Sequence, residues 1–166
     1  MAKWTALKNN WTPVAVADTA NFTNEGYMAL QGGSSTQRIN VLEVQIAGLA
    51  AAASPVQMLL ARDSTVGASS LSGVLNTAND PATAALAAPP NLFSTSTTKP
   101  QRSATLQLAA LGFNAYGGIV RWVAPQDEDD GFAMLGNTAS FGEISLSSAA
   151  AGTPGLVSAH IIYRPK

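Results

Sequence analysis

Arg38–Gly48, RINVLEVQIAG, is the stretch on which the fold turns. Leu42, Val44 and Ile46 fall on one side of an extended chain and Glu43 and Gln45 on the other, which is the period of a strand with one buried face. Residues 54–63, SPVQMLLARD, repeat the pattern with Val56, Met58 and Leu60 against Gln57 and Ala61. The intervening GLAAAAS is short enough to close a hairpin. Gly48 and Pro55 bracket it against a continuous helix, because either residue is costly inside one.

Working outward, TPVAVA (12–17), YMAL (27–30), ATLQLAAL (104–111), GIVRWVA (118–124), GEISLSS (142–148) and LVSAHIIYR (156–164) also read as strands. Turn-forming punctuation separates them: QGGSST, NAYGG, LGNTASFG and AAAGTPG. About eight short strands without alternating helices predict an all-β fold, an antiparallel β-sandwich or jelly-roll-like domain. Within NDPATAALAAPP, Asp80 is placed to cap a helix, Pro81 to start it and Pro89–Pro90 to stop it. One short helix is therefore expected over 81–88.

The 166 residues suit one domain. Residues 1–13 are expected as an N-terminal arm and 14–166 as the sandwich, with a long loop over 63–102 that lacks a sustained period. A connection of that length is usually functional or partner-bound. Trp4, Leu7 and Trp11 in the arm, and Leu71, Val74, Leu86, Leu92 and Phe93 in the loop, are apolar groups with no evident partner in their own segment. Trp4, Leu7, Trp11, Leu86, Leu92 and Phe93 are accordingly the candidate interface residues.

Charged residues are only 11% of the chain, against about 25% in ordinary soluble domains, so the surface is poorly protected from association and suited to contact with protein. The net charge of −1 and scattered Lys and Arg provide no basic stripe for nucleic acid. Without cysteine there is no disulfide framework or thiolate chemistry. No apolar run is long enough for a signal peptide core or a membrane span, so the chain is expected to be made in a cytoplasm.

RWVAPQDEDDGF (121–132) gathers Asp127, Glu128, Asp129 and Asp130. Calcium loops space their oxygen ligands so that backbone curvature aims them at one point, whereas adjacent carboxylates diverge. The run reads first as a solvated hairpin tip between strand-like flanks, then as a weak divalent site using Asp127 with Asp129 or Asp130. His160, the single histidine, shares a strand face with Leu156 and Ile162 and reads as a core or interface residue. No G-x-S-x-G turn holds a nucleophile, and QGGSST lacks the lysine and helix of a phosphate cradle. Arg62–Asp63 and Arg121 read as strand-end or cross-strand pairing partners. No enzyme, cofactor or metal centre is assigned.

With that pattern in hand, MALQGGSSTQRINVLEVQIAG, SPVQMLLARDSTVG, GGIVRWVAPQDEDDGF and GEISLSSAAAGTPGLVSAHIIYRP, about half of the chain, resemble small capsid decoration (cement) proteins of tailed bacteriophages. The resemblance implies a β-sandwich or jelly roll that often trimerises and sits on the outer capsid lattice, in contact with the major capsid protein or other virion proteins. It transfers no individual functional residue. The competing readings are a carbohydrate- or receptor-binding head of a phage fibre or adhesin, using tryptophan and the acidic run, and a small hydrolase.

Overall fold

The computed structural model describes residues 2–68, 74–125, 131–136, 141–149 and 154–166. They form eleven strands: β1 (Trp4–Trp11), β2 (Tyr27–Gln31), β3 (Arg38–Gly48), β4 (Pro55–Thr65), β5 (Leu75–Ala78), β6 (Asn91–Phe93), β7 (Gln101–Asn114), β8 (Ile119–Val123), β9 (Phe132–Leu135), β10 (Glu143–Ser148) and β11 (Val157–Pro165). One antiparallel sheet, sheet A, has the order β5-β1-β11-β3-β8, with β9 also on β3. The other, sheet B, has the order β6-β2-β10-β4-β7. The two face each other as a β-sandwich, the class predicted from the alternation.

The core between them takes Ala6, Ile39, Val41, Val44, Ile46, Val157, Ala159, Ile161 and Tyr163 from sheet A, and Met28, Leu30, Val56, Met58, Leu60, Leu111, Ile144 and Leu146 from sheet B. The alternation in β3 is real but interrupted. Ile162 pairs with Glu43 and Tyr163 with Val41, so Leu42 is an extra residue in the ladder, a β-bulge that changes which parity points inward. Val41 therefore joins Val44 and Ile46 in this cluster, while Leu42, also buried, lies outside it.

Residues 49–54 do not close a hairpin. β3 belongs to sheet A and β4 to sheet B, so GLAAAAS arches between the layers. Period two announces an apolar face on each strand equally well whether the two pair side by side or pack face to face. TPVAVA is likewise no strand, apart from an isolated bridge between Ala15 and Ser148.

The helix expected over 81–88 is absent. Asp80 caps one turn, its Oδ1 accepting from the Ala82 amide at 2.9 Å and its carbonyl from Thr83 N at 3.0 Å, and the chain then runs irregularly into β6. Too few residues lie between Pro81 and Pro89 to offset helix nucleation, and isolated helices below about 12 residues are marginal even with good formers.

Residues 2–13, the described part of the expected arm 1–13, are not detached. β1 lies between β5 and β11 as an interior strand of sheet A. Between Lys8 and Trp11 a bulge, with Asn10 at φ 48°, turns Trp11 inward, leaving it buried beside Ala6. The segment 63–102 also packs on its own sandwich where it is described: β5 pairs with β1, β6 with β2, and Asp63 is fully buried. A weak period misled here because these strands are short and bulged.

Candidate functional site

The outward side of sheet A is an exposed five-stranded surface whose composition follows from register. One row across it reads Leu75, Leu7, His160, Gln45, Arg121, and the next reads Thr77, Thr5, Ile162, Glu43, Val123. Ala47 and Ile119 continue it. Ile119 is 66% exposed, Leu75 61% and Val123 48%, while Leu7 and Ile162 are half-buried. Tyr116, in the turn leading into β8, is also exposed. Large apolar side chains thus rim a sheet face where solvent alone would favour polar ones.

The charges on this face are internally cancelled. Arg121 donates from Nε and Nη2 to the two oxygens of Glu43, each at 2.8 Å, and His160 Nε2 lies 3.3 Å from Glu43 Oε1. Hydrogen bonding from Arg121 holds the Glu43 carboxyl below its ordinary range, against the opposing effect of partial burial. The cross-strand role read for Arg121 is the one it plays. His160 is an outward-facing residue of this cluster.

The outward side of sheet B is covered over β2, β10 and the end of β4. Residues 14–26 and 93–100 lie over it, with Val16, Phe22, Tyr27, Ala29 and Phe93 forming a second apolar cluster. Beneath this cover Arg102, 1% exposed, donates from Nε to Asp18 Oδ1 at 2.6 Å, from Nη1 to Ser147 Oγ at 2.7 Å and Ser148 O at 3.2 Å, and from Nη2 to Val16 O at 2.6 Å. One guanidinium fork ties β7, β10 and the covering segment together.

Asp63 on β4 and Glu143 on β10 sit on the same covered face, both with no solvent exposure. Ser145 Oγ donates to Asp63 Oδ1 at 2.6 Å, and the Gly67 amide donates to Glu143 Oε2 at 2.8 Å. Asp63 Oδ2 and Glu143 Oε1 have no hydrogen-bond partner. Burial first, then the mutual charge, drives Asp63 well above the usual carboxylate range, and burial lifts Glu143 to about 7.

The three tryptophans do not form a platform. Trp11 is buried, Trp4 packs against the core, and Trp122 packs against it too, stacked on Phe132 with ring centroids 4.3 Å apart. Of the other candidate interface residues, Leu7 lies on the outward face of sheet A, Phe93 is buried in the second cluster, and Leu86 and Leu92 are half-buried. Leu71 and the acidic run Asp127–Asp130 lie outside the described residues. The flanks of that run are informative nonetheless. β8 pairs with β3 at residues 43–47 and β9 with the same strand at residues 38–41, so the two described flanks both pair with β3 and not with each other. Among the described residues no three His, Cys, Asp or Glu side chains converge as a metal site.

Asp63, Glu143 and Arg102 were not singled out by sequence as a buried group. Alternation in GEISLSS and LLARD puts Glu143, Ser145 and Asp63 opposite the apolar rows, but gives no sign that the polar face is roofed. No family model, curated protein or solved structure matches the chain.

Proposed function

We propose that the chain is a non-enzymatic structural protein of a virus particle, a capsid decoration protein that binds the outer capsid lattice through protein–protein contacts and assembles as a homotrimer. The observation that carries the reading is the outward face of sheet A. Its exposed Leu75, Ile119 and Val123 surround a Glu43–Arg121–His160 cluster whose charges are already paired. Apolar anchors around a satisfied polar centre suit a protein partner, because docking desolvates little unpaired charge. The sparse charge of the whole chain and its resemblance to decoration proteins point the same way. The carbohydrate-binding alternative loses its platform with the inward placement of Trp4, Trp11 and Trp122.

A triple variant, Leu75→Asp, Ile119→Asp and Val123→Asp, tests the reading. Interface anchors contribute roughly 1–2 kcal/mol or more each, so binding to particles is expected to fall more than tenfold. Thermal stability is expected to change little, since the three side chains are largely exposed. Co-sedimentation with particles and light scattering of the free protein measure the two sides. Unchanged particle binding by the folded variant would refute this face as the interface.

A further inference from the structure

We propose that the covered face of sheet B holds a hard divalent cation, calcium or magnesium, between Asp63 of β4, Glu143 of β10 and Tyr27 of β2. The site lies on the opposite side of the sandwich from the docking face and does not rest on that reading.

Strand register builds it. Ile144 pairs with Arg62 and Ser145 with Ala61, so the next step along the ladder sets Glu143 directly opposite Asp63. Side chains so placed have Cβ atoms about 4.5–5.5 Å apart. Tyr27 belongs to the row of Ser147, two rows away on the same face, and the row between holds only the small side chains of Ala29, Ser145 and Ala61. Its ring therefore has room to lie across them, and Glu143 and Asp63 are the charges that act most strongly on its hydroxyl.

Three oxygens are left over on this face. Asp63 Oδ1 accepts from Ser145 Oγ at 2.6 Å and Glu143 Oε2 from Gly67 N at 2.8 Å. Asp63 Oδ2, Glu143 Oε1 and Tyr27 Oη are buried without a hydrogen-bond partner, in residues that have no solvent exposure. Each carboxylate is thus fixed by a donor on one oxygen and keeps the other for a ligand, which is how hydrogen bonds behind a metal centre orient its carboxylates. A Cβ on Gly67 would stand 2.6 Å from the Phe93 ring, so glycine is what lets this amide reach Glu143 beneath the roof.

Charge selects the occupant. Buried charges are paired or coordinate a metal, and among the described residues the neighbouring side-chain cations are already engaged. Arg102 acts on Asp63 through space, but its nitrogens are committed to Asp18, Ser147, Ser148 and Val16. Arg62, next to Asp63 in the strand, alternates to the other face and donates to Ala133 O. Lys8 binds Glu25 and Tyr27 O, and Lys99 binds Asn24 and Ser96 O. Two carboxylates carry two negative charges, which one divalent ion cancels, and donors that are all oxygen suit a hard cation. Burial pushes both carboxyls upward, and a bound cation reverses this by favouring their ionised forms.

The test is refolding from urea and chelator into calcium, magnesium or sodium chloride at matched ionic strength, followed by gel filtration and elemental analysis. One calcium or magnesium per chain is expected to stay with the protein, and the urea midpoint to rise above its value in sodium. Ser145→Ala, which removes the donor on Asp63, is expected to weaken binding roughly 10–100-fold, and Glu143→Gln to abolish it. Wild-type protein that retains neither ion overturns the proposal, and this arm depends on no variant. An ion retained equally by Glu143→Gln also overturns it, because that ion then belongs elsewhere, as on the acidic run Asp127–Asp130. So does a protonated-carboxyl infrared band that neither ion changes, since a proton then occupies the pair.

Discussion

Arg102→Ala is expected to destabilise the protein by about 3–5 kcal/mol, because it leaves buried acceptors without donors at roughly 1–3 kcal/mol each, whereas its ion-pair partner Asp18 is partly exposed. The guanidinium is 1% exposed and satisfies Asp18 Oδ1, Ser147 Oγ and the carbonyls of Ser148 and Val16. Its removal leaves acceptors without donors beneath the covering segment, and the free side of Asp18 keeps only Gln107 Nε2 at 3.0 Å. Arg102→Lys should recover only part of the loss, since an ammonium on a flexible stem cannot reproduce a planar fork serving three elements. Urea unfolding checks both, as a shift in midpoint at unchanged slope. A loss under about 1 kcal/mol for the alanine variant would mean that the cover is held by its apolar cluster alone.

The second large effect falls on β1. Trp11→Ala should cost about 3–5 kcal/mol, as for other buried aromatic truncations, and deleting residues 2–12 should prevent folding altogether. The strand fills the place between β5 and β11, so its loss exposes the edge of β11 and strips Ala6 and Trp11 from the core. It also removes Lys8, whose ammonium donates to Glu25 O at 2.9 Å and Tyr27 O at 3.1 Å and lies 4.7 Å from the Trp11 ring centroid. A free arm would behave oppositely, its deletion leaving the unfolding transition unmoved. Circular dichroism of the truncated chain separates the two.

The fold was legible where strands are long and regular. β3, β4, β10 and β11 announce themselves by alternation, and with them the sandwich. What escaped was set by irregularities that a periodic reading cannot see. The bulge at Asn10 hides β1 by turning Trp11 inward out of phase with Trp4 and Ala6, and the bulge at Leu42 changes which residues of β3 face the inter-sheet cluster. β5 and β6 are too short, at four and three residues, to show a period.

The outward face of sheet A was half-legible. Glu43 and Gln45 were read correctly as opposite the core, whereas Leu7 was assigned to an arm and lies on β1 of this sheet. That Leu75, Ile119 and Val123 share the face depends on strand order, which no local pattern encodes. The buried acid pair was invisible for a related reason. Asp63 and Glu143 are 80 residues apart in sequence, and only the pairing of β4 with β10 brings them side by side.

The central claim is that the outward face of sheet A docks on a protein lattice. Hydrogen exchange of the chain free and bound to virus particles tests it most directly. The account predicts that binding adds protection at the exposed edge strands β5 and β8 and leaves the covered face of sheet B unchanged. Protection confined to residues 14–26 and 93–100, with β5 and β8 exchanging as in the free protein, would contradict it.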